Sequence, residues 1–98
     1  MLCGVSDAVI VQLQDVFARH VQVKRVVLFG SRARGDNKHS SDIDIAVFSD
    51  SGVSGELYAD IDEAVGIYKV DIIDMANVNN DKLIRNIDKE GVEIYRRR

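Results

Sequence analysis

The chain has 98 residues, of which 46% are hydrophobic and 30% are charged, and its 13 basic and 16 acidic residues give a net charge of −3. This composition is typical of a globular protein with a buried core, and it excludes a disordered chain, a collagen-like repeat and a protein that holds nucleic acid by bulk positive charge. We expect one domain over residues 1–98, since a domain usually takes about 100 to 150 residues, and no direct binding of nucleic acid.

The sequence offers no signal for a membrane or for secretion. Its longest apolar runs, such as residues 26–29 and 45–48, are far shorter than the roughly 18 residues that a membrane helix needs. Residues 1–7 lack the basic segment that opens a secretion signal. The single cysteine, Cys3, cannot close an internal disulfide, which suits a reducing compartment. We therefore expect a cytoplasmic protein that is not attached to a membrane.

The first third of the chain predicts a helix, a strand and a turn. Apolar residues recur at steps of three and four up to His20, which predicts an amphipathic helix capped by Ser6 or Asp7. Residues 23–29 are apolar and largely β-branched, so they predict a buried strand that stops at Gly30. A turn into a short helical segment follows, and a polar loop leads from it to a second predicted strand.

The second half of the chain continues the alternation of helix and strand. Its predicted elements are a helix closed by Gly66, a strand over residues 69–74, a helix that begins after Asn79 or Asn80 and ends at Gly91, and a strand over residues 92–95. This order predicts an α/β (α+β) domain with helices packed on a mixed sheet of three to five strands. Strand order does not follow from the pattern. The three arginines that end the chain are expected to be solvated.

The second predicted strand, residues 42–48, carries a pair of carboxylates. Asp42 and Asp44 are two residues apart, so their side chains share one face with Cα atoms about 6.6 Å apart, and the other face is apolar. Carboxylate oxygens are the ligands that magnesium prefers, and paired metal ions in enzymes lie about 3.5 to 4 Å apart. Asp60 and Asp62 have the same spacing, but they lie on a predicted helix, where their side chains diverge.

Gly30 and Ser31 lie where the first strand passes into the helical segment. Glycine lets a phosphate approach the backbone, and the free N–H groups at a helix start attract anions. Arg32 and Arg34 add positive charge beside this turn. Arginines on a short exposed helix are often only solvated, so both a phosphate-binding role and a solvated surface remain open for them. Arg32, which is nearer the turn, is the preferred candidate for the phosphate role.

A third carboxylate, Asp71, interrupts the apolar strand over residues 69–74. A carboxylate buried there would be unfavourable without a cation or hydrogen bonds. Asp74 lies at the exit of this strand with the opposite side-chain parity, so it is expected to be solvated or to cap the following turn, and a role as a metal ligand stays open. An acidic metal site beside an anion-binding turn is the arrangement that a nucleotide triphosphate with magnesium requires.

The order of these motifs resembles that of the minimal nucleotidyltransferases of the DNA polymerase beta superfamily. The resemblance rests on Gly30-Ser31-x-Ala33-x-Gly35, then Ser41-Asp42-x-Asp44, then Val70-Asp71. It implies a DNA polymerase beta-like nucleotidyltransferase fold with two magnesium ions and ATP as substrate. By this resemblance the metal-binding and catalytic residues are Asp42, Asp44 and Asp71, with Asp71 also helping to deprotonate the attacking hydroxyl, and the nucleotide-binding residues are Gly30 and Ser31, with Arg32 and Arg34 as further candidates.

The implied reaction is the transfer of AMP from ATP to an acceptor hydroxyl, with release of pyrophosphate. Small proteins of this family are usually antitoxins paired with an HEPN-domain ribonuclease toxin, and the resemblance implies that a tyrosine of the toxin is the acceptor. Two alternatives stay open. The protein could be a non-catalytic antitoxin that neutralises its partner by binding, or it could transfer a nucleotide to a small molecule such as an aminoglycoside. The enzymes that do the latter resemble this core plus a second domain, for which 98 residues leave no room.

Overall fold

The computed structural model describes residues 4–38 and 41–97, so Cys3 and Arg98 lie outside the described residues. The eight elements in chain order are α1 (Asp7–Arg19), β1 (Val23–Phe29), α2 (Ser31–Arg34), β2 (Ile43–Ser49), α3 (Gly55–Val65), β3 (Val70–Asp74), α4 (Asp81–Glu90) and β4 (Val92–Arg96). These elements confirm the predicted alternation, with bounds that differ from the expected ones by a residue or two. No helix in the described part of the chain is both long and apolar enough to cross a membrane.

Side-chain caps explain where the three longer helices begin. Ser6 Oγ accepts a hydrogen bond from the Val9 amide at 3.4 Å, and Ser54 Oγ accepts one from the Leu57 amide at 3.1 Å. Asn80 Oδ1 does the same at the start of α4. Each bond satisfies an amide that has no partner inside the first turn of its helix. The predicted starts of α1 and α4 are therefore confirmed, with Ser6 and Asn80 as the caps.

The four strands form one mixed sheet in the order β3-β2-β1-β4. Strand β1 runs antiparallel to both β2 and β4, whereas β2 and β3 are parallel and are joined by α3. Strand β3 is therefore an edge strand, and β2 lies between β3 and β1. A mixed sheet with helices packed on it confirms the predicted fold class.

Helices cover the two faces of the sheet unequally. Helices α1 and α3 pack together over one face and enclose the larger core, which includes Leu13, Phe17, Leu28, Ile45 and Ile61. Helix α4 packs on the other face through a smaller cluster that includes Val27, Phe29, Ala46 and Ile87. Because alternate residues of a strand share a face, Asp44 lies on the same face as Ala46 and α4. The carboxylates therefore project from the thinly covered side of the sheet.

The expectation of a solvated carboxyl-terminal tail is wrong for Arg97. Its Nη2 donates to the carbonyl oxygens of Phe17 and His20 at 3.0 and 3.1 Å, and its Nε donates to Val23 O at 3.0 Å. The last carbonyls of a helix lack intrahelical donors and attract a cation. Arg97 thus caps the end of α1, while Arg96 stays exposed and pairs with Glu93.

Asp74 caps the turn that follows β3, which is one of the roles that its position in the sequence left open. Its carboxylate accepts hydrogen bonds from the amides of Val53 and Ala76 at 3.1 and 3.0 Å and from Asn77 Nδ2 at 2.8 Å. Burial alone would raise the pKa of Asp74, but these three hydrogen bonds outweigh it, and the pKa lies below its ordinary value.

We expect Asp74→Ala to lower the free energy of unfolding by about 1 to 3 kcal/mol at pH 7, because hydrogen bonds to an ionised carboxylate are lost. A depressed pKa stabilises the fold above the unfolded value, and that contribution disappears as the pH falls through the folded value. The difference from wild type in urea unfolding should therefore shrink between neutral pH and acid. Asp62→Ala, at an exposed position of α3, is the control and should change stability by less than about 0.5 kcal/mol. An Asp74 effect that is equal at every pH would contradict this assignment.

Candidate active site

The end of β1 and the starts of β2 and β3 lie side by side at one end of the sheet. This follows because β1 is antiparallel to β2, and β2 is parallel to β3. Phe29 at the end of β1 is the register partner of Asp44, and Asp44 is the register partner of Asp71. Neighbouring strands lie about 4.8 Å apart. Gly30, which follows Phe29, therefore lies beside Asp44 on one side, while Asp71 lies beside Asp44 on the other.

The three predicted carboxylates differ in exposure. Asp44 is half-buried, whereas Asp42, which lies immediately before β2, and Asp71 are exposed. The expectation that Asp71 is buried within an apolar strand is wrong, because its side chain is exposed on the thinly covered face of the edge strand β3. Solvation therefore satisfies Asp71 without a cation. We call Asp42, Asp44 and Asp71 together the acidic edge.

The carboxylates of the acidic edge lie close enough to repel one another. The pKa of Asp44 is raised above its ordinary value, first by burial and then by the negative charges of Asp71 and Asp42, while Arg34 and Arg32 partly oppose this rise. Like charges that are held together are unfavourable unless a cation compensates them. The electrostatics at this edge are those expected of a cation-binding site.

The donor set of the acidic edge fits magnesium. It comprises carboxylate oxygens, which magnesium prefers, on two adjacent strands in register. As the side chains stand, no three His, Cys, Asp or Glu residues within 4–38 and 41–97 converge on a point where they would hold a metal ion. The two exposed members have room to change rotamer, since nothing packs around a side chain in solvent. The backbone therefore places the donors on adjacent strands, and a metal site here would require the exposed side chains to change rotamer.

Gly30 permits the turn to approach Asp44. Its backbone angles, φ 76° and ψ −157°, belong to a region that only glycine adopts readily. A methyl group on its Cα would collide with Asp44 Oδ2. The amides of Ala33 and Arg34 both donate to Gly30 O at 3.1 Å, which closes the first turn of α2 directly after this residue. The predicted Gly30-Ser31 turn therefore lies against the half-buried carboxylate.

Arg32 and Arg34 occupy different environments, although they are only two residues apart. Arg34 is exposed, with its Nε 3.1 Å from Asp36 Oδ2 and its Nη1 3.0 Å from Glu90 Oε2. Arg32 is buried, with a relative solvent exposure of only 4%. Its guanidinium donates to backbone carbonyls and lies over the Tyr68 ring. The expectation of an exposed arginine is therefore wrong for Arg32, and these contacts do not support its predicted contact with phosphate.

The remaining Asp-x-Asp pair does not form a second site. Asp60 and Asp62 lie on α3, and Asp60 Oδ2 is 2.7 Å from Nε2 of the buried His20. This contact joins α3 to the residue that caps the end of α1. The sequence did not reveal the contacts of Tyr68 and Glu90 with α2, because their partners are distant in sequence. Tyr68 lies under the guanidinium of Arg32, and Glu90 pairs with Arg34.

Sequence comparison identifies the family. Residues 11–98 match the family described as Polymerase beta, Nucleotidyltransferase. A protein of Methanocaldococcus jannaschii that is named as a protein adenylyltransferase is 33% identical over 96 residues, an alignment that covers 85% of this chain and 95% of that protein.

Solved structures share the fold. A chain in the crystal structure of a toxin-antitoxin with AMP-PNP aligns with a TM-score of 0.75 at 21% identity, covering 91% of this chain and 74% of that one. A chain in the complex of a tri-AMPylated Shewanella oneidensis HEPN toxin with an MNT antitoxin aligns with a TM-score of 0.55 at 17% identity, covering 87% and 73% respectively. These likenesses confirm the predicted polymerase beta-like architecture. With the family match over 11–98, they lead to one conclusion: the chain belongs to the polymerase beta nucleotidyltransferase family.

Proposed function

We propose that this protein is a magnesium-dependent nucleotidyltransferase that transfers AMP from ATP to a tyrosine hydroxyl of an HEPN-type toxin, and so acts as the antitoxin of that toxin in the cytoplasm. The observation that carries the proposal is the juxtaposition of Gly30, Asp44 and Asp71 across three adjacent strand ends. A phosphate-approaching turn and a set of carboxylates then face a single substrate.

Each site residue is assigned a role that suits its chemistry and its exposure. Asp42, Asp44 and Asp71 would hold the magnesium, which when bound neutralises the triphosphate charge and favours departure of pyrophosphate. The Gly30-Ser31 turn binds the phosphates through its backbone, and the exposed Arg34 is the cation able to join them. Asp71, on the edge strand, accepts the proton as the acceptor oxygen attacks the α-phosphorus. The α–β phosphoanhydride bond breaks, and AMP remains on the acceptor.

Two comparisons favour a protein as the acceptor. The relative that is 33% identical is named as a protein adenylyltransferase, and the match spans 95% of it. One structural neighbour is the complex of an AMPylated HEPN toxin with its antitoxin. Asp71 is also exposed on the edge strand β3, which leaves a bulky acceptor free to approach it.

The test is to incubate the protein with magnesium, the HEPN-type protein encoded beside it, and ATP that carries the label on either the α- or the γ-phosphate. We expect the α-label to appear on the partner, the γ-label not to appear, and a partner variant with its acceptor tyrosine changed to phenylalanine to remain unlabelled. A silenced partner without label would favour the non-catalytic antitoxin. Label on an added aminoglycoside, but not on the partner, would favour transfer to a small molecule.

A further inference from the structure

The buried arginine of α2 makes a set of contacts that the proposed reaction does not use. Arg32 Nε and Nη2 donate to Ser41 O at 3.1 and 2.9 Å, and Nη1 donates to Gly4 O at 2.5 Å. Its Cζ lies 5.1 Å from the centre of the Tyr68 ring. The Gly4 amide in turn donates to Arg32 O at 2.8 Å. The planar guanidinium is well suited to such a fork of hydrogen bonds combined with stacking on an aromatic ring.

Two of these partners directly precede the acidic edge. Ser41 is the residue before Asp42, and Tyr68 lies three residues before Asp71. The two segments are also joined by a hydrogen bond of 2.8 Å from the Ile43 amide to Lys69 O, at the point where β2 and β3 begin. Arg32 therefore holds the chain leading into both strands, next to that bond.

The same residue belongs to the turn on the other side of the site. Arg32 follows Gly30 and Ser31 in α2, a helix of only four residues that is too short to hold its own position by backbone bonds alone. Its side chain spans from this turn to the loop before Asp42. A single buried cation thus links the phosphate-approaching turn with the starts of both acidic strands.

We infer that Arg32 is a positioning residue: it fixes the starts of β2 and β3 relative to the Gly30 turn, and so places the carboxylates of the acidic edge, rather than binding phosphate itself. The inference deepens the proposed function and rests on it for the meaning of that placement. Residues that orient metal ligands through a second layer of hydrogen bonds typically change metal affinity or activity by 10- to 100-fold when replaced.

The first test needs no substrate. Arg32→Lys keeps the positive charge but loses the fork and the stacking plane. Hydrogen exchange should accelerate by about tenfold at the Ile43 amide, which bonds Lys69 O, as local opening becomes easier. The Met75 amide, which bonds Val47 O at the far end of the same strand pair, is the internal control and should not change. Unchanged exchange at Ile43 would overturn the inference even if the protein proves to be an active transferase.

The second test separates positioning from phosphate binding. For Arg32→Lys we expect the affinity for Mn²⁺ without nucleotide to fall by roughly tenfold, kcat for AMP transfer to fall by a similar factor, and KM for ATP to change by less than about threefold. A rise of tenfold or more in KM with unaltered Mn²⁺ affinity would instead make Arg32 a phosphate ligand. Arg85→Lys, at an exposed position of α4, is the matched control for the arginine-to-lysine change.

Tyr68 supplies a variant that leaves the cation in place. Tyr68→Leu removes the ring beneath Arg32, and it should accelerate exchange at Ile43 in the same direction, whereas Tyr68→Phe retains the ring and the slow exchange. Should Arg32→Lys fail to fold, the two Tyr68 variants provide the test alone, and equal exchange in both would contradict the positioning role of Arg32. Failure of the proposed function would appear differently. The wild type would not transfer AMP, while Arg32→Lys would still change the exchange at Ile43 and the affinity for Mn²⁺ as expected.

Discussion

Replacing Asp42 and Asp44 together by asparagine is expected to reduce AMP transfer by about a thousandfold while leaving the fold intact. Metal ions supply several kcal/mol of transition-state stabilisation to such reactions, and each 1.4 kcal/mol or so corresponds to a tenfold change in rate. The thermal midpoint should rise, because the pKa of Asp44 is raised by burial and by the neighbouring carboxylates, so ionised Asp44 disfavours the folded state at neutral pH. Lost activity combined with increased stability distinguishes a functional acidic cluster from a structural one.

Two controls accompany this variant: a substitution in the other Asp-x-Asp pair, and a measurement of partner binding by the double variant. Asp62→Asn, on the exposed surface of α3, should retain transfer. The double variant should still bind the HEPN-type partner, because asparagine preserves the shape of aspartate. Transfer that survives the loss of both carboxylates would exclude the acidic edge as the metal site.

Gly30→Ala is expected to impair both stability and transfer. The backbone of Gly30, with φ 76° and ψ −157°, costs a residue with a side chain about 1 to 3 kcal/mol. The added methyl group would also displace Asp44 Oδ2, and a shift of about 1 Å at a reacting centre can reduce the rate by about a hundredfold. Chemical denaturation measures the first effect, and the transfer rate on the surviving folded protein measures the second.

Two other glycines separate the backbone effect from the contact with Asp44. Gly35 also has a positive φ, but nothing lies within 4 Å of an added Cβ, so Gly35→Ala should cost stability and retain transfer. Gly55, at the start of α3, has neither a positive φ nor a neighbour, and Gly55→Ala should be neutral or stabilising by up to about 1 kcal/mol. If Gly35→Ala reduced transfer as strongly as Gly30→Ala, the close approach to Asp44 would not be the cause.

The local parts of the structure could be predicted because their causes are local. Periodicity identified α1, and alternation along β2 showed that Asp42 and Asp44 oppose the buried Ile43 and Ile45. Caps act within one helical turn, so the sequence limited the cap of α1 to Ser6 or Asp7, of which Ser6 is the cap. The strand-exit position and side-chain parity of Asp74 indicated that it could cap the following turn, as it does.

The other features depend on contacts between distant segments. Strand order is set by the packing of whole elements, and without it the position of Asp71 on an exposed edge strand could not be known. The burial of Arg32 requires partners at Gly4, Ser41 and Tyr68, just as Arg97 requires the carbonyls at the end of α1. An arginine in a sequence carries no mark of such partners, so its default interpretation as solvated was wrong at both positions.

The most direct measurement is the intact mass of the HEPN-type partner after incubation with this protein, ATP and magnesium. We predict that the partner gains mass in whole steps of one AMP unit, that it loses its toxic ribonuclease activity in parallel, and that neither change occurs with the Asp42→Asn, Asp44→Asn double variant. A partner that is silenced by the wild type and by the double variant alike, with its mass unchanged, would contradict AMP transfer and leave neutralisation by binding as the function.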